Sequence, residues 1–234
     1  MDVWLPLSFE KSFAEYFTGM RHEILASLLL VALIQPILGC AGSGGASSSR
    51  NSHSKTGDAT VCILSKCEMV RSELDRAIAK SNVNVPEEQR SLAVRRAVRL
   101  EEMLKGVRVL WVDDHPENND VERNMLGALG MIVDLAPTTE LAMQRLKGIH
   151  YDLVVSDILR NGDEKAGLQL LAETRKLGLP PLVIFYAQAY DPGRGVPPYA
   201  FGMTNRPDEL LNLILDVIER LRSELEHGCC NDNV

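Results

Sequence analysis

Between residues 107 and 225, short apolar runs alternate with stretches whose apolar residues recur at helical spacing. Apolar runs bounded by turn-forming residues are typical of buried strands, and the longer stretches are typical of amphipathic helices. Strands alternating with helices at short intervals predict a parallel sheet that is covered by helices on both faces. The predicted strands are 107–114, 131–135, 152–156, 182–186 and 200–204, and the predicted helices are 117–129, 138 or 139–147, 167–176 and 207–225.

Two further helices are predicted in front of this domain. Val70, Leu74 and Ile78 recur every four residues and indicate a helix at about 59–80. A second helix starts at Pro86, is followed by acidic residues in its first turn, and stops at Gly106. We expect 59–105 to form a helical hairpin or stalk. A Gly/Ser-rich linker at 42–58 precedes it, and a polar tail at 226–234 follows the main domain.

The N-terminal pattern is different. Residues 1–23 predict an amphipathic or poorly ordered leader, and no charged residue occurs from 24 to 49. The hydrophobic segment 24–41 is borderline for a membrane span, which needs about 20 apolar residues. Four interpretations stay open: a transmembrane helix, a signal-type segment, a segment similar to a bacterial lipobox with Cys40 lipidated, or a helix packed on protein. The flanking positive charges are nearly balanced and give no orientation.

Composition narrows the functional classes. The chain has 234 residues, 45% of them hydrophobic, and a net charge of -7, which argues against general nucleic-acid binding. Its five cysteines are scattered and odd in number, so they do not form a disulfide framework and suit a reducing compartment.

The candidate chemistry lies at the ends of two strands. The first strand ends in Asp113 and Asp114, and the third is followed by Asp157. Ligand sites in parallel sheets lie at the carboxyl ends of the strands, and Mg²⁺ prefers oxygen ligands. The sequence therefore predicts a Mg²⁺ site at this edge. The alternative is that Asp113 and Asp114 only cap the next helix or open a turn.

Three motifs carry a resemblance to a known family. Val109-Leu-Trp-Val-Asp-Asp114, Asp152-Leu-Val-Val-Ser-Asp157 and Gly202-Met-Thr-Asn-Arg-Pro207 resemble the receiver domain of bacterial two-component response regulators, over about 107–225. The resemblance implies a flavodoxin-like (CheY-like) α/β fold with a five-stranded parallel sheet of order 2-1-3-4-5. It also implies Mg²⁺-dependent transfer of phosphate from a kinase histidine to Asp157. Asp113, Asp114 and Asp157 would hold the metal with the backbone carbonyl of Leu159.

Several positions depart from the family pattern. Tyr186 stands at the position of a small hydroxyl residue, Arg206 at that of a lysine, and Met203 at that of the switch aromatic. Arg206 keeps a positive charge, and Tyr186 either senses phosphate or packs under the loop. Prolines and glycines between Tyr186 and Ala200 predict that the family's fourth helix, which lies between the fourth and fifth strands, is reduced or absent in this chain.

These observations lead to competing functional hypotheses. The first is a stand-alone receiver, not a turnover enzyme, that accepts phosphate on Asp157 from a histidine kinase or phosphotransfer protein and signals to a downstream protein. We expect it in the cytoplasm, with 24–41 as a candidate tether to the inner membrane. The alternative is a pseudo-receiver, a binding module that works without phosphorylation. A hydrolase is a third class, but no additional catalytic base is recognisable.

Overall fold

The computed structural model describes residues 55–187 and 195–228. These residues contain five parallel strands and seven α-helices. The helices are α1 (Lys55–Ser81), α2 (Glu87–Arg99), α3 (Glu101–Leu104), α4 (Asp120–Ala128), α5 (Thr139–Gly148), α6 (Ala166–Thr174) and α7 (Pro207–Gly228). The strands are β1 (Arg108–Val112), β2 (Ile132–Ala136), β3 (Leu153–Ser156), β4 (Leu182–Tyr186) and β5 (Gly202–Thr204), and a 3₁₀ turn spans Pro116–Asn119.

The strands form one sheet in the order β2-β1-β3-β4-β5, and every neighbouring pair is parallel. This is the strand order of the flavodoxin-like fold, so the predicted fold class is confirmed. In the register of the two central strands, Val112 lies opposite Ser156. The residues that follow them, Asp113 and Asp157, therefore leave the sheet side by side.

Each face of the sheet has its own hydrophobic core, as strand alternation requires. On β1, Val109 and Trp111 belong to the core under α4 and α7, whereas Leu110 and Val112 belong to the core under α5 and α6. All four side chains are buried. The sheet is thus covered on both faces, and the acidic residues lie at its carboxyl edge.

The N-terminal helices α1 and α2 pack on the outside of α4 and α7. Val70 and Leu74 of α1 are fully buried in the same core cluster as the neighbouring helices. Across the interface, the Arg96 guanidinium of α2 pairs with Asp216 and Glu219 of α7. The hairpin is therefore a third layer attached to the sheet domain, with the turn between its helices near the carboxyl edge of the sheet.

The structure corrects some predicted boundaries. Helix α1 begins at Lys55, inside the predicted 42–58 linker, and α7 continues to Gly228, inside the predicted 226–234 tail. Hydrophobic periodicity marks only the buried part of a helix, so polar first and last turns leave no signal. Strand β5 starts at Gly202, two residues later than predicted.

Several predictions concern residues outside the described part of the chain. These are the leader at 1–23, the hydrophobic segment at 24–41, and most of the linker and of the tail. Within the described residues, none of the helices has the length and apolar character needed to cross a membrane. The described residues 195–201, between β4 and β5, form no helix, while 188–194 lie outside the described residues.

Candidate metal centre

Three carboxylates meet at the carboxyl edge of the sheet. One oxygen from each of Asp113, Asp114 and Asp157 lies within 4.8 Å of the others. This cluster follows from the register of β1 and β3, because each strand delivers its terminal acid to the same edge. The structure therefore brings together the residues that the sequence predicts as carboxylate ligands.

Asp113 and Asp114 are held by different loops. Asp113 is only 6% exposed, and its two oxygens accept hydrogen bonds from the His115 backbone amide at 2.7 Å and from the Asn119 side chain at 2.5 Å. One oxygen of Asp114 accepts from the backbone amide of Asn161 at 2.6 Å. Asp113 thus opens a turn, as the alternative interpretation expects, while it also lies in the acidic cluster.

The cluster fits a divalent cation on electrostatic grounds. Burial, and next the negative charge of Asp113, raise the pKa of Asp157 from its usual 3.8 to about 6. Such a shift means that the negative charge lacks compensation, which an oxygen-ligated cation such as Mg²⁺ would supply. Leu159 lines the same cavity, and its amide lies 3.4 Å from an Asp157 oxygen. The role of its carbonyl stays a prediction.

Binding of Mg²⁺ should depend on pH through Asp157. Because the pKa of Asp157 lies near 6, protons compete with the cation as the pH falls through that value. We expect the Mg²⁺ affinity of the full chain to fall about tenfold between pH 7 and pH 5, as calorimetric titration would measure. The Asp157→Asn variant should lose this dependence. An equal affinity of the parent chain at both values would contradict the prediction.

A buried arginine, Arg160, holds the loop after Asp157 in place. The sequence did not indicate this role. Arg160 is only 2% exposed, and its two terminal nitrogens donate four hydrogen bonds. The acceptors are the Ser156 and Thr139 hydroxyls at 2.6 and 2.7 Å, and the Asp157 and Ala166 carbonyls at 2.6 and 2.9 Å. Arg160 therefore joins β3 to the first turns of α5 and α6.

Gly167 allows α6 to approach this loop closely. A β-carbon at this position would lie 2.7 Å from the Cα of Ile158 and 2.8 Å from the carbonyl oxygen of Asp157. Both neighbours are backbone atoms that cannot move aside independently. Glycine at this position therefore helps to set the position of Asp157.

Tyr186 and Arg206, the other two sequence candidates, make their hydrogen bonds to residues outside the cluster of Asp113, Asp114 and Asp157. The Tyr186 hydroxyl donates to buried Glu122 of α4 at 2.9 Å, and its ring meets Trp111 edge-on at a centroid distance of 6.0 Å. The Arg206 guanidinium donates to Asp208 at 2.7 Å and also to Gln89 of α2. Tyr186 lines the acidic cavity, whereas Arg206 lines a separate groove between α2 and α7.

The acidic cavity has a volume of about 1170 Å³, and its walls include the ends of β4 and β5 and three further parts of the chain. The loops after β1 and β3 supply the carboxylates, and residues 195–198 contribute a glycine, a valine and two prolines. The third wall is the hairpin turn, with Lys80, Ser81 and Asn82. The hairpin therefore contributes directly to the candidate site.

Neither a protein-family model nor a curated protein matches the chain significantly. Among solved structures, it is similar to the chemotaxis response regulator CheY4 of Vibrio cholerae, at 18% identity over 48% of this chain and 99% of that one, with a TM-score of 0.41. A putative response regulator from Chloroflexus aurantiacus matches at 22% identity over 50% and 100%, with a TM-score of 0.43.

A response regulator from Thermotoga maritima, in complex with Mg²⁺ and BeF, matches at 28% identity over 47% of this chain and 97% of that one, with a TM-score of 0.41. All three of these structures are response regulators or putative ones. The assignment of the fold rests on the strand order and register of the chain itself.

Proposed function

We propose that residues 107–225 form a receiver that accepts a phosphoryl group on Asp157 with Mg²⁺ held by Asp113, Asp114 and Asp157. The observation that carries this proposal is the meeting of the three carboxylates at the carboxyl edge of the sheet. The cluster lies in the wall of an open cavity, so a phosphoryl donor can reach it.

In the proposed reaction, an Asp157 carboxylate oxygen attacks phosphorus while the bond from phosphorus to a phosphohistidine nitrogen of the donor breaks. The imidazole leaves with the electron pair of that bond, and the product is an acyl phosphate. Bound Mg²⁺ would offset the negative charge of the incoming oxygens. Arg160 donates to the Ser156 hydroxyl and to the Asp157 carbonyl, so the attacking carboxylate keeps its direction.

The proposed donor is a histidine kinase or a phosphotransfer protein, and the proposed output is contact with a downstream protein. Such donors place the receiver in the cytoplasm, and the segment 24–41 is the candidate membrane tether. The proposed receiver neither turns over a small substrate nor binds nucleic acid. The net charge of -7 is consistent with the absence of nucleic-acid binding.

A second candidate is a pseudo-receiver that signals without phosphorylation. It is favoured by the contacts of the two residues that the family would use near the phosphate. Tyr186 donates to Glu122, and Arg206 is paired with Asp208, so neither side chain is bonded to the three clustered aspartates.

Labelling with a small-molecule donor separates the two candidates. We expect the full chain, incubated with Mg²⁺ and acetyl phosphate, to gain the mass of one phosphoryl group. The Asp157→Asn variant should gain none, because an amide is not a nucleophile of this kind. Intact mass spectrometry measures both, and circular dichroism verifies that the variant is folded.

Asp163→Asn is a matched control, because Asp163 lies in the same loop and, among the described residues, its carboxylate accepts only from the Lys165 amide and the Gln169 side chain. It should be labelled like the parent chain. Absence of label on the parent, together with no response to beryllofluoride, would refute the receiver and leave the pseudo-receiver. Equal labelling of Asp157→Asn would refute Asp157 as the acceptor.

A further inference from the structure

A phosphoryl group in the acidic cavity would add negative charge beside three carboxylates, so a cationic side chain should meet it in addition to the metal. Of the basic residues near the cavity, Arg160 cannot take this part. It is buried, and both of its terminal nitrogens already donate to two oxygens each. Turning it outward would break four hydrogen bonds, two of which are buried.

Arg206 does not face the cavity either. Its guanidinium makes two hydrogen bonds to Asp208, whose side chain is nearly fully buried, and one to Gln89 of the hairpin. The groove that it lines contains Gln89, Leu92, Asp208, Glu209 and Asn212. A cation with a buried carboxylate partner is held more firmly than one with an exposed partner.

Lys80, in the last turn of α1, is placed differently. Among the residues that the structure describes, it is the only lysine or arginine in the cavity wall. Its ammonium lies 2.7 Å from an Asp120 oxygen and 3.2 Å from the Glu117 carbonyl oxygen. The Lys80 and Asp120 side chains are 42% and 50% exposed, so their ion pair is a weak surface interaction that can be exchanged.

The hairpin turn keeps Lys80 at this wall. Asn82 adopts a positive φ of 55°, which turns the chain directly after α1, and Ser81 and Asn82 line the cavity with Lys80. Asp120 and Glu117 belong to the segment that follows the Asp113-Asp114 pair. The contacts of Lys80 therefore connect the hairpin to the loop that carries two of the carboxylates.

We propose that Lys80 is the side chain that binds the phosphoryl group, exchanging its contacts with Asp120 and Glu117 for phosphoryl oxygens. This inference rests on the proposed phosphoryl acceptance at Asp157. It gives the hairpin a role inside the site, because the cation comes from α1 instead of the loop after β5. By linkage, occupation of the cavity and docking of the hairpin turn stabilise each other.

The test is the affinity of the full chain for beryllofluoride in the presence of saturating Mg²⁺, measured by calorimetric titration. We expect Lys80→Met to weaken beryllofluoride binding about tenfold, as loss of a charged hydrogen bond does, while Mg²⁺ affinity stays within about twofold. Arg76→Met is the matched control, because Arg76 lies one turn earlier on α1, is 57% exposed and, within the described part of the chain, pairs only with Glu73. It should bind beryllofluoride like the parent chain.

Asp120→Asn separates the charge of Lys80 from its anchoring contact. It removes the carboxylate but leaves the ammonium, so beryllofluoride affinity should be kept or increased. Equal affinities of Lys80→Met and the parent, or a loss in Arg206→Met in place of Lys80→Met, would overturn the role of Lys80 and leave the function of Asp157 intact. A parent chain that binds no beryllofluoride overturns the role of Lys80, and it overturns phosphoryl acceptance at Asp157 as well when acetyl phosphate also leaves no label.

Discussion

Replacing Arg160 with methionine is expected to lower the free energy of unfolding by about 3 kcal/mol or more. The side chain is buried, and its loss removes four hydrogen bonds, of which those to the Ser156 hydroxyl and the Ala166 carbonyl are buried. The Asp157 carbonyl still accepts from the Ser156 hydroxyl. Each buried group left unsatisfied costs about 1–3 kcal/mol, and relaxation of the loop recovers only part of the sum.

A compensating gain exists but is smaller. Burial lowers the pKa of Arg160, which shows that the charged guanidinium is desolvated at this position. Exchange of a buried ion pair for apolar residues can be neutral when both ions are removed. Here the neutral oxygen partners stay behind, so the lost hydrogen bonds outweigh the relief of desolvation.

Urea denaturation of the full chain measures this effect. Arg160→Lys should fall between the parent and Arg160→Met, because an ammonium keeps the charge but cannot reach all four acceptors. Exposed Arg76 provides the control, and Arg76→Met should change stability by less than about 0.5 kcal/mol. A loss below about 1 kcal/mol in Arg160→Met would show that the loop is held by other contacts.

The fold was predictable because apolar runs and their spacing are local properties of the sequence. The prediction for β4 agrees with the structure at both ends, and the strand order implied by the resemblance is the one observed. The acidic cluster was predictable from the fold. Once β1 and β3 are adjacent and parallel, Asp113 and Asp157 must emerge at one edge.

Side-chain partners across the fold were not predictable. The sequence places Tyr186 at the end of β4, but only the packing of α4 shows that Glu122 receives its hydroxyl. The stripe of Val70, Leu74 and Ile78 predicts a buried helix face without naming the surface that covers it. Arg160 lies in a loop without periodicity, so no pattern marks its burial.

The hairpin illustrates the same limit for function. From the sequence alone, the residues of the hairpin turn look like an ordinary polar break between two helices. Packing of α1 and α2 on α4 and α7 brings that turn, and Lys80 with it, to the wall of the acidic cavity. The candidate ligands are therefore local to two strands, whereas the candidate cation depends on the tertiary arrangement.

Replacing Asp113 with asparagine should weaken Mg²⁺ binding about 100-fold while the metal-free chain keeps its stability. The amide has nearly the same shape, and its oxygen can still accept from the His115 amide. Its NH₂ group can donate to the Asn119 side-chain oxygen once that amide turns over, so the turn is preserved. What is lost is the negative charge of a buried ligand, and Mg²⁺ is held in proteins largely by one or two carboxylates. Even changes outside the ligand set typically cost about 10–100-fold in affinity.

The same substitution should lower the pKa of Asp157, although it weakens Mg²⁺ binding. The charge of Asp113 helps to raise the pKa of Asp157, so Asp113→Asn should lower that pKa and relieve repulsion in the metal-free chain. At neutral pH the variant should therefore unfold at an equal or higher urea concentration without Mg²⁺. With Mg²⁺ in excess, it should gain much less than the parent, because stabilisation by a ligand follows its affinity. Asp163→Asn, outside the cluster, should gain as much as the parent. An Asp113→Asn chain that is stabilised by Mg²⁺ like the parent would place the cation elsewhere.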